Sequence, residues 1–317
     1  MRVPERAPVA ISGASGLIGR ALTRALLEQG ASTVVLSRSP ERARRALGER
    51  EQGQIDLHAW DPATPAPSAA LAGARAVIHL AGEPIDQRWS AAAKRRIHES
   101  RVQGTRNLIA GIRALSADQR PEVLLSASAI GYYGARGSEP LDEEADAGEG
   151  FLAEVCRAWE DAALGARELG LRVVTLRTGV VLDAEEGALA RMLPPFRAGL
   201  GGPIGSGRQY ISWIHRQDVV GLYLSALDDA EIAGPLNATA PHPVANAEFA
   251  RALARALHRP ALLPIPRLAL RLLYGEMATL LTTGARVVPA RALVRGFEFR
   301  HPELPGALSA ALSERGR

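Results

Sequence analysis

The stretch VAISGASGLIGRALTRALLEQ, Val9 to Gln29, decides the fold. A short run of apolar and β-branched residues, Val9–Ser12, passes directly into Gly13-Ala14-Ser15-Gly16-Leu17-Ile18-Gly19. Apolar residues then recur at helical spacing, as Leu22, Ala25 and Leu26. Strand, glycine turn and amphipathic helix in immediate succession predict the opening of a βαβ unit.

Working outward, the same alternation continues. Strands are predicted at 9–12, 33–37, 55–58, 76–80, 123–127 and 173–177, with helical patterns at 17–29, 40–50, 91–115 and 151–169 between them. Parallel strands joined by crossover helices read this way, so the expected class is α/β with a doubly wound sheet. After Arg177 the texture changes to Gly- and Pro-rich segments and helices separated by prolines, which predicts a smaller, mostly helical cap. Two pieces, 211–214 leading into a helix at 218–227 and the short strand 236–238, are expected to return to the sheet. The expected division is therefore 1–180, with returns from about 209–240, and a cap at 181–317.

The 317 residues, 47% hydrophobic and 23% charged, exclude disordered and fibrous classes. A lone cysteine, Cys156, excludes a disulfide framework, and the seven histidines show no helical ligand spacing, so no metal is expected. No apolar run approaches the roughly 20 residues that a bilayer requires. The basic clusters Arg42/Arg44/Arg45 and Lys94/Arg95/Arg96 lie in helical patterns and are read as solvated faces. The expectation is a cytoplasmic protein with neither a nucleic-acid nor a membrane partner. A homodimer is as compatible with the sequence as a monomer. Lys94 is the only lysine in the chain.

The glycine loop has the form that a dinucleotide's pyrophosphate needs. Gly13 and Gly16 allow close backbone approach, Gly19 allows helix-on-strand packing, and the helix start presents its amides. Ser15, Leu17 and Ile18 complete that loop as candidate cofactor contacts. At the end of the second strand stand Ser37 and Arg38 rather than a carboxylate. A guanidinium and a hydroxyl suit a 2′-phosphate, which favours NADP(H) over NAD; a solvated loop arginine is the plain alternative.

With these residues stand HLAGEPI (79–85), Arg88-Trp89, SRVQGT (100–105), SASAIGYYG (126–134), LRTGVVL (176–182), GGPIGSGRQ (201–209) and Trp213-Ile214-His215 with Asp218. Together they resemble an atypical short-chain dehydrogenase/reductase. More narrowly, the chain is similar to epimerase-family proteins labelled nucleoside-diphosphate-sugar epimerase or cell-division inhibitor. The segment 246–308, with GEMA (275–278), RVVP (286–289) and GFEFRHPEL (296–304), is similar to their C-terminal domain of unknown function. The resemblance implies a Rossmann-type domain binding NADPH beneath a cap that roofs a small-molecule cleft. By position it implies cofactor contact for Leu80, Ala81, Gly82, Glu83, Arg101, Ser126 and Val181.

Reductases of that superfamily use a tyrosine with a lysine four residues later, because a phenol near pKa 10 needs a neighbouring ammonium to exchange protons at neutral pH. None of the five tyrosines here is followed by lysine at the fourth position. The tyrosine position falls on Phe151 or Leu152, the lysine position on Val155 or Cys156, and the asparagine position on Arg101. Of the usual four only a serine survives, with Ser128 the better placed beside Ser126. Tyr132 and Arg136 show tyrosine-x3-basic spacing but lie in a loop. Tyr132 and Tyr133 are therefore candidate catalytic groups or pocket walls, with loop packing the alternative.

Trp159 is read as core and Trp89 as either core or cleft cover. His215 and Asp218 are read as capping or hinge residues, and the loop 201–209 with Arg208 as a lid or a glycine-rich connector. The reading that results is an NADP(H)-binding protein acting as an oxidoreductase or epimerase with an unconventional acid/base. Its rival is a non-catalytic, NADP(H)-responsive regulatory protein.

Overall fold

The computed structural model describes residues 7–48, 54–261 and 264–314. Seven parallel strands form one sheet: β1 (Val9–Ser12), β2 (Thr33–Ser37), β3 (Ile55–Ala59), β4 (Ala76–His79), β5 (Val123–Ala129), β6 (Arg172–Thr178) and β7 (Gly234–Ala238). Their spatial order is β7-β6-β5-β4-β1-β2-β3. The order reverses between β1 and β4, so the loops leaving those two strands turn to opposite sides and open a crevice at their carboxyl ends. Ser12 is in register with His79, and His79 with Ser126, so the tips of β1, β4 and β5 lie level below that crevice.

The helices used below are α1 (Leu17–Glu28), α2 (Pro40–Leu47), α3 (Ala91–Arg113), α4 (Phe151–Leu164), α5 (Gly187–Arg197), α6 (Arg216–Asp228), α7 (Asn246–Ala256) and α8 (Arg267–Tyr274), with a C-terminal helix named where it packs. The two faces of the sheet follow the period-2 alternation of its strands. Val9 and Ile11 face Leu22 and Leu26 of α1 and Val219, Leu222 and Tyr223 of α6. Ala10, Val77 and Leu124 face Leu108 and Ile112 of α3 and Ala163 of α4. Leu22 and Leu26 are fully buried, each contributing about 1.5–3 kcal/mol by transfer from water.

The doubly wound expectation holds, and the strand predicted at 236–238 is part of β7 at the sheet edge. The piece at 211–214 does not return to the sheet. It divides at Ser212 into Tyr210–Ile211, paired with Val244–Ala245, and Trp213–His215, paired with Val180–Leu182. Ser212 is spent on the cap: its Oγ donates to Ala285 O at 2.8 Å and accepts from Val287 N at 2.9 Å. The helix predicted at 151–169 ends at Leu164 and tightens into a 3₁₀ turn over Gly165–Leu169. Of the helix predicted at 40–50, residues 49 and 50 lie outside the described residues.

The cap has its own core, where Leu189, Leu193 and Phe196 of α5 meet Trp213 of the strand Trp213–His215, Phe249 and Leu253 of α7, and Leu304 and Leu308 of the C-terminal helix Leu304–Ser313. A second seam holds the roof to the loop after β4. Met277 packs with Trp89, Ile97 and Val155, Lys94 Nζ lies 2.5 Å from Glu276 Oε1, and Arg191 pairs with Asp86.

Candidate cofactor and substrate site

The glycine loop is shaped by what its residues lack. Gly13 adopts φ +76°, and a Cβ there would lie 2.7 Å from the carbonyl carbon of Leu80. A Cβ on Gly19 would lie 2.2 Å from Gly13 O. Neither position admits a side chain without moving backbone, so α1 starts hard against the tips of β1 and β4. Gly16 is the extended N-cap residue, and no side chain caps the helix. The first-turn amides of Leu17, Ile18 and Gly19 therefore have no acceptor inside the helix and keep the positive end of its dipole open. Arg20 braces the loop, donating to Ser15 O at 2.8 Å and pairing with Glu186 at 3.0 Å.

At the tip of β2, Ser37 Oγ lies 3.2 Å from both N and O of Ser39, and Ser39 caps α2. Arg38 is exposed and unflanked by acid on its own loop. Across the crevice, Glu83 Oε1 accepts from Gln87 Nε2 at 3.1 Å and Arg96 Nε at 3.4 Å. The Gln87 hydrogen bond, helped by the Arg96 and Arg38 guanidiniums, holds its carboxyl below the usual range against the opposing effect of burial.

Leu80 continues β4 by donating its amide to Ser12 O at 3.0 Å, and Glu83 N donates to Ser100 Oγ at 3.0 Å. Arg101 reaches this wall from α3. Its Nη1 donates to Glu83 O at 2.9 Å and Ile97 O at 3.2 Å, and its guanidinium lies 5.1 Å from the Trp159 ring. The contact with Glu83 is thus to its main-chain carbonyl rather than to its carboxylate. A Cβ on Gly82 would stand 3.2 Å from Arg101 Cζ, so the absent side chain makes room for the guanidinium. Burial lowers the Arg101 pKa, yet the group remains charged and cannot give up a proton.

One residue that the sequence reading did not single out holds the floor together. His79 is fully buried, with Nδ1 2.5 Å from Ser12 Oγ and Nε2 without a partner among the described residues. Desolvation, then the Arg101 charge, lowers its pKa to about 4, so the ring is neutral at physiological pH. The signal available was the histidine at the head of the HLAG string, at the end of an apolar strand.

Where a proton relay would stand, the structure has a buried polar network. Ser128 Oγ donates to Glu160 Oε1 at 2.6 Å, and Arg177 grips the same carboxylate with Nε (2.9 Å) and Nη2 (2.8 Å). Arg177 Nη1 also donates to the Tyr133 hydroxyl at 3.0 Å, which donates to Asn237 Oδ1 at 2.7 Å. Glu143 closes the far end, accepting from the amides of Asn237 and Arg291. Tyr133 has no exposed surface and its phenol is pushed up to about 12, chiefly by burial. It does not wall an open cleft. Ser128, likewise buried, spends its proton on Glu160.

Tyr132 stacks on Arg177, whose Cζ lies 3.4 Å from the ring centroid. The bidentate carboxylate of Glu160 already neutralises that guanidinium. Arg136 donates to Asp146 O, at 3.3 Å, so its hydrogen bond goes to the loop backbone rather than to Tyr132. Cys156, one of the two residues on which the lysine position falls, is buried and pushed up to about 12 by desolvation and then the Glu160 charge, which leaves it a thiol. Ser126 is buried with its Oγ on Ala127 O, and Val181 is half-buried in the strand paired with Trp213–His215.

Trp89 is nearly buried, edge-on to Phe151, with Nε1 on Ile85 O. His215 caps α6, accepting from Gln217 N, and its ring lies 4.0 Å from that of His301, tilted by 47°. Asp218 accepts from the amides of Arg300 and His301, so this pair pins the C-terminal segment to α6. Among the described residues no His/Cys/Asp/Glu cluster could hold a metal, and no helix is long and apolar enough to cross a membrane.

The profile of the NAD dependent epimerase/dehydratase family matches residues 9–238, from the first strand to the last strand of the sheet. The chain belongs to that family. Residues 265–311 match a domain of unknown function that covers α8 and the C-terminal helix. Within the family, an Arabidopsis thaliana protein named epimerase family protein SDR39U1 homolog, chloroplastic, is 40% identical over 307 residues, covering 96% of this chain and 86% of its own length. An epimerase family protein of Mycobacterium bovis is 41% identical over 313 residues, covering 98% and 99%. The crystal structure of human SDR39U1 with NADPH superimposes at a TM-score of 0.84 with 33% identity, covering 97% of this chain and 99% of the human one.

Proposed function

We propose that this protein binds NADP(H) through the loop Gly13–Gly19, with the pyrophosphate on the open amides of α1 and the adenosine 2′-phosphate on Ser37 and Arg38. The carrying observation is the cradle at the start of α1, which a Cβ at Gly13 or Gly19 would fill and which no side chain caps. The crystal form of the human relative with NADPH supports the phosphorylated cofactor. Leu80, Ala81, Gly82 and Glu83 form the wall along the cofactor, with Arg101 behind it as a fixed positive charge. Bound nicotinamide would supply a hydride donor or acceptor; the chain's own contribution is to orient it and exclude water.

The test is calorimetry with NADPH and NADH on the wild type and on Arg38→Asp. The wild type is expected to prefer NADPH. Arg38→Asp should weaken NADPH by about tenfold to a hundredfold, the worth of a charge-assisted contact, and leave NADH nearly unchanged. Equal losses for both would remove the case for the 2′-phosphate site. No heat with either nucleotide would overturn the reading.

For the reaction, the reading is oxidoreductase or epimerase chemistry on a small molecule whose proton comes from outside the usual tyrosine–lysine pair, with Tyr132 the candidate group. A second reading is a non-catalytic, NADP(H)-responsive regulatory protein. What favours it is the commitment of Ser128 and Tyr133 to the buried network. NADPH oxidation with any member of a broad carbonyl panel supports the enzyme; tight binding with no turnover supports the regulator.

A further inference from the structure

The charges of the cap are distributed unevenly. From Gly187 to Gln217 and from Phe249 to Gly275 the chain holds four and five arginines, and not one Asp or Glu. These segments meet in space. Arg259 Nε donates to Arg197 O at 3.0 Å, Ile265 N donates to Pro203 O at 2.7 Å, and Gly205 N donates to Ile265 O at 2.9 Å. The result is one lobe, continued by α8, whose first residue, Arg267, lies against Gly205.

On this lobe stand four projecting leucines: Leu200, Leu268, Leu272 and Leu273, each 67–72% exposed. In α8 the buried residue is Leu270. Leu268 and Leu272, one turn apart, lie on the opposite side with Arg271 beside them. A helix with leucine on both faces and only one of them covered is built for a second apolar contact. Arg197 and Arg259 stand beside Leu200, and Arg267 and Arg271 share α8 with the other three leucines. Among the described residues none of these four arginines is paired with a carboxylate, and the nearby Glu276 is taken by Lys94.

The charge pattern selects the occupant. Two copies of the lobe meeting across a two-fold axis would set arginine against arginine. The leucines project outward rather than line a groove, which suits a deformable boundary better than a rigid pocket. We propose that this lobe docks on an anionic phospholipid surface. Leu200, Leu268, Leu272 and Leu273 enter the headgroup boundary, and Arg197, Arg259, Arg267 and Arg271 lie over lipid phosphates. The lack of a spanning helix bears on crossing a bilayer, not on resting against one.

Flotation of the full chain with vesicles of phosphatidylcholine alone, and of phosphatidylcholine mixed with phosphatidylglycerol, tests this. Binding is expected only to the mixed vesicles and should weaken with added salt. Replacing Arg267 and Arg271 by Gln should weaken it about fivefold per arginine. L268S with L272S should weaken it at least about tenfold. Both variants should keep the wild-type melting temperature and NADPH affinity, since the altered side chains are exposed and lie away from the glycine loop. No flotation of the wild type overturns the proposal. So does undiminished vesicle binding by the leucine variant, or an oligomer that this variant alone dissolves.

Discussion

The tips of β1, β2 and β4 and the tips of β5 and β6 lie side by side on one sheet, yet they treat polar groups in opposite ways. The first region is built from missing side chains: Gly13, Gly16 and Gly19 leave main-chain amides open at an uncapped helix. The second is built from large charged side chains that satisfy one another. Ser128, Tyr133, Glu160 and Arg177 form a network in which each residue is 8% exposed or less. An open donor can bind a ligand, whereas a satisfied one holds the fold. One side of the crevice therefore leaves donors open to a ligand, and on the other the candidate serine Ser128 is spent on a buried network.

The strongest way to break this contrast is Glu160→Ala. If the second region is structural, removing the carboxylate strands Arg177 in the core and costs about 3–5 kcal/mol, read as a lowered urea midpoint. A variant that stays fully stable but loses turnover would instead make the network catalytic.

Next is the floor beneath the first region. His79 has a folded-state pKa of about 4 against its ordinary 6.5, so folding favours its neutral form. That contribution is complete above about pH 6.5, declines as the pH falls through the window and is lost below about pH 4. Its size is on the order of 3 kcal/mol. The difference in unfolding free energy between the wild type and His79→Gln, followed by denaturant titration from pH 7 to 4, should shift in favour of the variant by that order. A pH-independent difference would mean that the ring is not buried neutral.

The smallest expected effect sharpens the boundary between the regions. Ser128→Ala removes one hydrogen bond to Glu160 and should cost about 1–2 kcal/mol while leaving NADPH affinity at the wild-type value. A loss of affinity would move Ser128 from the structural side to the cofactor side.

This division also explains what could be read from residues alone. The glycine loop and all seven sheet strands were legible because a strand–turn–helix signal is local, with every informative residue inside one window. The network was not. Its members are Ser128, Tyr133, Glu143, Glu160, Arg177, Asn237 and Arg291, and no spacing rule links a serine at a strand tip to a glutamate more than two helical turns into α4. Tyr132–Arg136 shows the converse error, since proximity in sequence suggested a dyad, whereas Arg177, 45 positions away, supplies the cation that meets the ring. At 211–214 the alternation was right, but Ser212 bonds to the cap backbone and divides the strand, a tertiary choice that the local pattern does not encode.

The lone lysine gives the molecule an intrinsic reporter. Lys94 Nζ touches Glu276 and lies 5.1 Å from the Phe151 ring, where the roof meets the loop that follows β4. Apart from the chain's α-amino group, any acylating reagent has this one amine to find. The speed at which it is tagged, set against that of a free amine, reads how firmly the contact with Glu276 holds it.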